Sequence, residues 1–162
     1  MSQHLTEIQI SNLISFVRTR LSKSIFEIPD EGSREVPFST RVIVPAIQEI
    51  VKATKKSGLY VRGEGAHPVK SIYEAEMEFK PDVTIGFHND LHIAFEVKII
   101  RPGDPSGSFS KALGQALAYR SLGNFDASFA LLFDVRKHAP LRGSNIKAAV
   151  EEIADNVFVL VW

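Results

Sequence analysis

The sequence contains no cysteine, no surplus of charge and no long apolar segment. The absence of cysteine excludes disulfides and thiolate metal sites, and with them the zinc-finger class. Nineteen basic and nineteen acidic residues give a net charge of zero, so any surface for nucleic acid has to be local, because such affinity comes largely from neutralising phosphates. No apolar run approaches the ~20 residues that span a bilayer, and residues 1–6 contain no secretory signal pattern. We therefore expect no membrane partner and a cytoplasmic location.

The length of the chain bounds its organisation. A chain of 162 residues is long enough for one domain with a real core and short for two. We interpret it as a single domain, with an N-terminal helix and connector over residues 1–36 and a core over residues 37–162.

The spacing of apolar residues predicts the order of helices and strands. Helices are predicted over His4–Lys23, from Ser39 or Thr40 to about Lys56, from Ser108 or Ser110 to Leu122, and over Asn145–Ala154. Strands are predicted over Leu59–Arg62, Asp82–Phe87, His92–Ile100, Ala127–Val135 and Val157–Trp162. Pro45 indicates a kink in the second helix or a later start, and a loop is expected over Gly63–Pro68. This order indicates an α/β fold with a mixed central sheet flanked by helices.

Three charged side chains stand in segments that otherwise predict buried strands. Asp82, Glu96 and Lys98 add nothing to the stability of a pleated segment, so their presence indicates a use. Two carboxylates and a lysine on adjacent strands can hold a divalent cation and position a water beside it. That is the equipment of phosphodiester hydrolysis. The alternative is a charged edge hairpin with a solvated pair of Glu96 and Lys98.

The loop of the predicted hairpin decides whether these side chains meet. A two-residue loop at residues 89–90 places Asp82 opposite Val97, on the wrong face for Glu96. A three-residue loop over residues 88–90 places Asp82 directly across from Glu96, with Cβ atoms ~5 Å apart. A shared site therefore requires an odd loop or a bulge, and an even loop would favour an unrelated α/β protein.

Pro81-Asp82, followed after 14 residues by Glu96-Val97-Lys98, resembles the signature of the PD-(D/E)xK nucleases. That superfamily includes restriction endonucleases, Holliday-junction resolvases and RecB-like exonucleases. The resemblance covers roughly residues 40–135 and implies a restriction endonuclease-like α-β-β-β-α-β core, to which this chain adds an N-terminal helix and a C-terminal α-β pair. It implies that Asp82, Glu96 and the Val97 carbonyl bind Mg²⁺, with Mn²⁺ as a substitute. It also implies that Lys98 orients the attacking water or stabilises the leaving charge.

A second pattern lies on the helix that follows the predicted hairpin. Lys111, Gln115 and Tyr119 are four residues apart and share one helix face at the border of the apolar stripe. The Gln-x-x-x-Tyr arrangement resembles the accessory motif of RecB-like members, which implies contact with the substrate backbone. The alternative is an amphipathic helix with a half-buried tyrosine.

The resemblance implies a further acidic residue from the helix before the sheet. Glu49 is the first candidate and Glu35 is its competitor, while a solvated surface glutamate is the alternative for Glu49. We expect a magnesium-dependent enzyme that hydrolyses DNA, either as a homodimer by analogy with the family or within a larger nucleic-acid-processing complex. Several basic residues, Arg101 among them, are candidates for a local phosphate-binding cleft. The rival hypothesis is a non-catalytic nucleic-acid-binding or assembly module that keeps the nuclease fold.

Overall fold

A computed structural model describes residues 4–63, 72–88 and 90–162 of the chain. The strands are β1 (Leu59–Gly63), β2 (Ile72–Glu74), β3 (Met77–Phe79), β4 (Val83–Phe87), β5 (Leu91–Ile100), β6 (Ala127–Asp134) and β7 (Val157–Val161). The helices are α1 (Glu7–Ser22), α2 (Glu35–Phe38), α3 (Val44–Ala53), α4 (Pro105–Leu122) and α5 (Ile146–Ile153). A π-helical turn (Ser39–Ile43) joins α2 to α3, and a short 3-10 helix (Pro140–Gly143) precedes α5.

The central sheet is mixed and has the strand order β1-β4-β5-β6-β7. β1, β4 and β5 pair antiparallel, whereas β5, β6 and β7 pair parallel. All eight residues of β6 are buried, as expected for a parallel strand covered on both faces. Within the described residues, the predicted α/β fold with a mixed sheet flanked by helices is thus confirmed.

Helices cover both faces of this sheet. Alternate side chains of β5, such as Phe95 and Val97, belong to the core beneath α1 and α3. On the other face, Ile100 packs in a cluster with Ala112 and Ala116 of α4, and Ala94 packs beside Tyr119 of the same helix. Glu96 and Lys98 share the parity of Ala94, so they project toward the α4 side.

The first helix matches its prediction and begins at a capped residue. The Thr6 side chain accepts from the Gln9 N–H at 3.3 Å, and the Gln9 side chain accepts from the Thr6 N–H at 3.0 Å. This reciprocal pair is a capping box, a feature that contributes about 1 kcal/mol to a helix start.

The second predicted helix starts earlier than expected. Helical backbone begins at Glu35 and reaches Ala53, so the predicted boundary at residues 36–37 falls inside it. Pro37 is tolerated because it lies in the first turn, where its missing N–H has no intrahelical partner to lose. A π-helical turn precedes Pro45, which lies in the first turn of α3, so this α-helical segment starts later than Ser39 or Thr40. The early start of the helical backbone brings Glu35 to the sheet.

Other boundaries differ from prediction in informative ways. β2 and β3 form a separate two-stranded hairpin that the sequence did not predict. Its tight turn holds Ala75 and Glu76 at positive φ, which is not the usual Asn-Gly pattern of such turns. α4 begins at Pro105, earlier than predicted, after the Asp104 side chain caps the Gly107 N–H at 3.0 Å. Apart from Gly63, the predicted loop over Gly63–Pro68 lies outside the described residues.

No membrane-spanning helix occurs in the part of the chain that the structure describes, since none of its helices is both long and apolar enough.

Candidate active site

The β4–β5 hairpin has the register that a shared site requires. Phe87 pairs with Leu91, and the pairing continues to Val83 opposite Phe95. Three residues therefore form the loop, and Asp82, the residue before β4, donates its N–H to the Phe95 carbonyl at 3.1 Å, next to Glu96. The prediction of a three-residue loop is confirmed. The even loop that would have favoured an unrelated α/β protein is absent.

Beyond this point, β5 continues without a partner strand on its β4 side among the described residues. β4 begins at Val83, whereas β5 runs to Ile100 and stays paired to β6 on its other side. Two carboxylates accept hydrogen bonds from the backbone N–H groups on this edge of β5. The Val97 N–H donates to Asp82 Oδ2 at 2.7 Å, and the Ile99 N–H donates to Glu35 Oε1 at 3.2 Å. Both acids are thus held against one open strand edge, which satisfies buried backbone donors.

Glu96 is only 3% exposed. It lies at the centre of a cluster of charged side chains that also contains Asp82, Glu35 and Lys98. Its Oε2 accepts from the Tyr119 hydroxyl at 2.7 Å, and its Oε1 lies 3.9 Å from the Lys98 ammonium. Burial, and next the negative charge of Asp82, raise the pKa of Glu96 to about 8. The hydrogen bond from Tyr119 and the charge of Lys98 act in the opposite direction and are outweighed.

Lys98 is held by a third acid. Its ammonium donates to Glu35 Oε2 at 2.9 Å, and only 11% of its side chain is exposed. Arg101 Nη1 lies 3.7 Å from Glu35 Oε1. Glu35, the competitor for the fourth acidic position, is therefore the acid that the structure brings to the cluster.

Arg101 has a role that sequence reasoning did not find. Its guanidinium donates to the carbonyls of Glu31 at 2.7 Å and Ile99 at 3.4 Å, and also to that of Ser33. The side chain thus ties the loop before α2 to the end of β5. The sequence position of Arg101 does not predict this contact, because an arginine at the end of a strand is equally typical of phosphate binding.

Glu49 lies elsewhere. Its carboxylate is 71% exposed and pairs with Lys52 at 2.6 Å, one turn along α3. It borders a groove that α3 forms with the C-terminal end of α1. The structure does not bring Glu49 to Asp82, Glu96 and Lys98, because the α3 face that carries it turns away from the sheet.

The Gln-x-x-x-Tyr pattern is divided between two environments. Tyr119 is fully buried, and its hydroxyl donates to Glu96. Burial, and then the charge of Glu96, raise the pKa of the tyrosine hydroxyl. Gln115 Nε2 lies 3.5 Å from that hydroxyl, while its Oε1 is buried without a hydrogen-bond partner among the described residues. An unmatched buried acceptor costs about 1–3 kcal/mol. Lys111, one turn earlier, is exposed.

The cluster fits a hard divalent cation in its donor chemistry. In the described ranges no group of three or more His, Asp or Glu side chains is arranged as a metal site. Magnesium needs fewer, because it keeps several waters and binds proteins through one or two carboxylates. Asp82 and Glu96 supply two, and the Val97 carbonyl faces the same strand edge as its N–H. Burial, and next the negative charge of Asp82, raise the pKa of Glu96, and a cation there would offset that negative charge.

Comparisons with known proteins give no relative for this chain: no protein-family model, no curated protein and no solved structure matches it.

Proposed function

We propose that this chain is a magnesium-dependent nuclease of the PD-(D/E)xK type, with a restriction endonuclease-like core, that hydrolyses DNA phosphodiester bonds. The observation that supports it is the meeting of Asp82, Glu96 and Lys98 at the open edge of β5, with Glu96 buried and Lys98 3.9 Å from it. A protein gains no stability from two acids and a lysine placed there for packing alone. The resemblance of the sequence signature supports the same reaction.

Each side chain has a chemical task in this proposal. Asp82 and Glu96 bind Mg²⁺, or Mn²⁺ in its place, together with the Val97 carbonyl. The bound ion supplies Lewis acidity that activates water and offsets negative charge on the phosphate. The Lys98 ammonium lies beside Glu96 and stabilises the charge that grows on the phosphate oxygens. Tyr119 fixes the orientation of Glu96 through its 2.7 Å hydrogen bond.

Contacts to the DNA backbone come from the exposed side of α4. Lys111 is exposed on the same helix face as Gln115, and the resemblance to the RecB-like accessory motif supports a backbone contact by both residues. We assign these two residues to substrate binding. Tyr119, which is buried, supports the site from behind.

A cleavage panel tests the proposal. Linear duplex, single-stranded and four-way-junction DNA are incubated with the protein in Mg²⁺ and in EDTA. We expect Mg²⁺-dependent cleavage of at least one substrate and its loss in Asp82→Asn and Lys98→Ala. Glu49→Gln is the matched control, because its exposed carboxylate lies outside the cluster, and it should cleave like the unaltered protein. Equal cleavage by Lys98→Ala and the unaltered protein would refute the assignment.

A non-catalytic binding or assembly module is the second candidate. The neutral net charge favours it, because enzymes that grip many phosphates usually carry a basic surplus. Calorimetry separates the two candidates: a module without turnover should show no heat of Mg²⁺ or Mn²⁺ binding at millimolar concentrations. Cutting both strands of a duplex needs two sites, which is the reason to expect a homodimer. The homodimer and the cytoplasmic location both stay predictions.

A further inference from the structure

Glu35 is held by contacts to both of its carboxylate oxygens. Its Oε1 accepts from the Ile99 N–H at 3.2 Å and lies 3.7 Å from Arg101 Nη1, while its Oε2 accepts from Lys98 at 2.9 Å. Both oxygens therefore already face strong donors. A second metal ion bound through Glu35 would have to displace an ammonium and sit next to a guanidinium, which like charge opposes.

We infer that the site takes a single divalent cation, between Asp82 and Glu96, and that Glu35 is a positioning residue that holds Lys98 and binds no metal. The inference rests on the proposed function, since it concerns the cation of the same site. It divides the three acids into two metal ligands and one partner of the lysine.

Titration of the protein alone with Mn²⁺, followed by calorimetry and by the electron paramagnetic resonance of free Mn²⁺, tests this division. We expect one Mn²⁺ per chain. Glu35→Gln should keep that stoichiometry and weaken binding by less than about twentyfold, because it removes a nearby negative charge but no ligand oxygen. Asp82→Asn should weaken binding at least about twentyfold, because it removes a ligand oxygen charge.

The lysine provides a readout that a purely structural role for Glu35 would not change. An ammonium held by a carboxylate and 11% exposed exchanges its protons slowly enough for its ¹⁵N–¹H signal to be observed. We expect this Lys98 signal in the unaltered protein and its loss by broadening in Glu35→Gln. Glu31→Gln is the matched control, because Glu31 lies in the preceding loop and offers Arg101 only its backbone carbonyl.

The outcomes are distinct. Two Mn²⁺ ions per chain, a twentyfold loss of affinity in Glu35→Gln, or an unchanged Lys98 signal in that variant would overturn the inference and leave the nuclease proposal standing. Failure of the unaltered protein to bind Mn²⁺ would overturn the proposed function, and the inference with it. Melting temperatures of the variants, measured alongside, identify any variant that fails to fold. If Glu35→Gln fails to fold, Glu35→Ala is titrated with Mn²⁺ in its place.

Discussion

Glu96 carries an energetic cost in the absence of a cation. It is buried, faces Asp82 and has a pKa raised to about 8. When folding raises the pKa of a carboxyl, the contribution of that group to stability is complete at pH values below its unfolded-state pKa. The contribution is lost as the pH rises through the folded-state pKa. The window therefore lies between about pH 4.5 and pH 8.

Glu96→Gln removes this titration and makes the first prediction. In EDTA, the unaltered protein should lose stability as the pH rises from 5 to 9, by an amount on the order of a few kcal/mol, since one pKa unit corresponds to about 1.4 kcal/mol. The variant should lose much less. Thermal unfolding at pH 5, 7 and 9 measures the difference. Added Mg²⁺ should restore stability at pH 9 only to the unaltered protein, and parallel pH profiles of the two proteins would contradict the prediction.

Tyr119→Phe tests what the buried tyrosine does. The substitution removes the 2.7 Å hydrogen bond to Glu96 and keeps the ring in its pocket. A hydrogen bond to a charged group contributes about 1.5–3 kcal/mol, so kcat should fall by roughly tenfold to a hundredfold while the KM for DNA stays unchanged. Steady-state kinetics measure both constants.

Tyr73→Phe provides the control for that substitution, because its hydroxyl donates to Glu78 on the exposed β2–β3 hairpin. Its kinetics should match the unaltered protein. A raised KM with an unchanged kcat in Tyr119→Phe would return the tyrosine to the substrate-binding role that its sequence motif implies.

At the scale of elements, the loop before α2 is positioned by one side chain. Arg101 donates to three carbonyls, two of them in this loop, and lies near Glu35. Because Glu35 is the first residue after this loop and holds Lys98, the guanidinium sets the position of the lysine indirectly.

Arg101→Lys separates this clamp from phosphate binding. Lysine keeps the charge and would keep a phosphate contact, but it lacks the planar fork that reaches several carbonyls. We expect a loss of about 1–2 kcal/mol, or roughly 2–8 °C in Tm, and faster hydrogen exchange over residues 30–38. Arg142→Lys, on an exposed arginine of the 3-10 helix, is the control. Unchanged exchange in Arg101→Lys would contradict the clamp.

Most elements could be predicted because their signals are local. The near-continuous apolar run of β6 and the alternation around Asp82 and Glu96 require only neighbouring residues. The start of α2 was missed because Pro37 also fits a turn-rich connector. The β2–β3 hairpin was missed because its turn residues, Ala75 and Glu76, adopt positive φ without the usual glycine or asparagine.

The candidate site divides in the same way. The meeting of Asp82 with Glu96 could be predicted because strand alternation and loop length determine it. The choice of Glu35 over Glu49 could not, because it depends on how the helix crosses the sheet. The burial of Tyr119 depends on Phe125, Ile72 and the small Ala94, which come together only in the folded chain.

At the scale of the whole molecule, the unequal lengths of β4 and β5 leave room for a site at one end of β5. β5 is central, yet its final residues have a neighbouring strand on one side only within the ranges that the structure describes, because β4 is half its length. Side chains from α2, from the residue before β4 and from α4 converge there. If the proposed function holds, we expect a polynucleotide at this edge to pass along α4, whose exposed Lys111 is four residues before Gln115.

Lys111→Ala tests this path. Each phosphate contact adds about 0.9 to the slope of log affinity against log salt, so the variant should bind DNA more weakly with a slope lower by roughly one. Its hydrolysis of bis(p-nitrophenyl) phosphate, too small to reach α4, should be unchanged. Lys23→Ala, an exposed lysine at the end of α1 on the other face of the sheet, is the matched control. Fluorescence anisotropy from 50 to 300 mM NaCl measures both slopes, and equal slopes in the two variants would remove Lys111 from the DNA path.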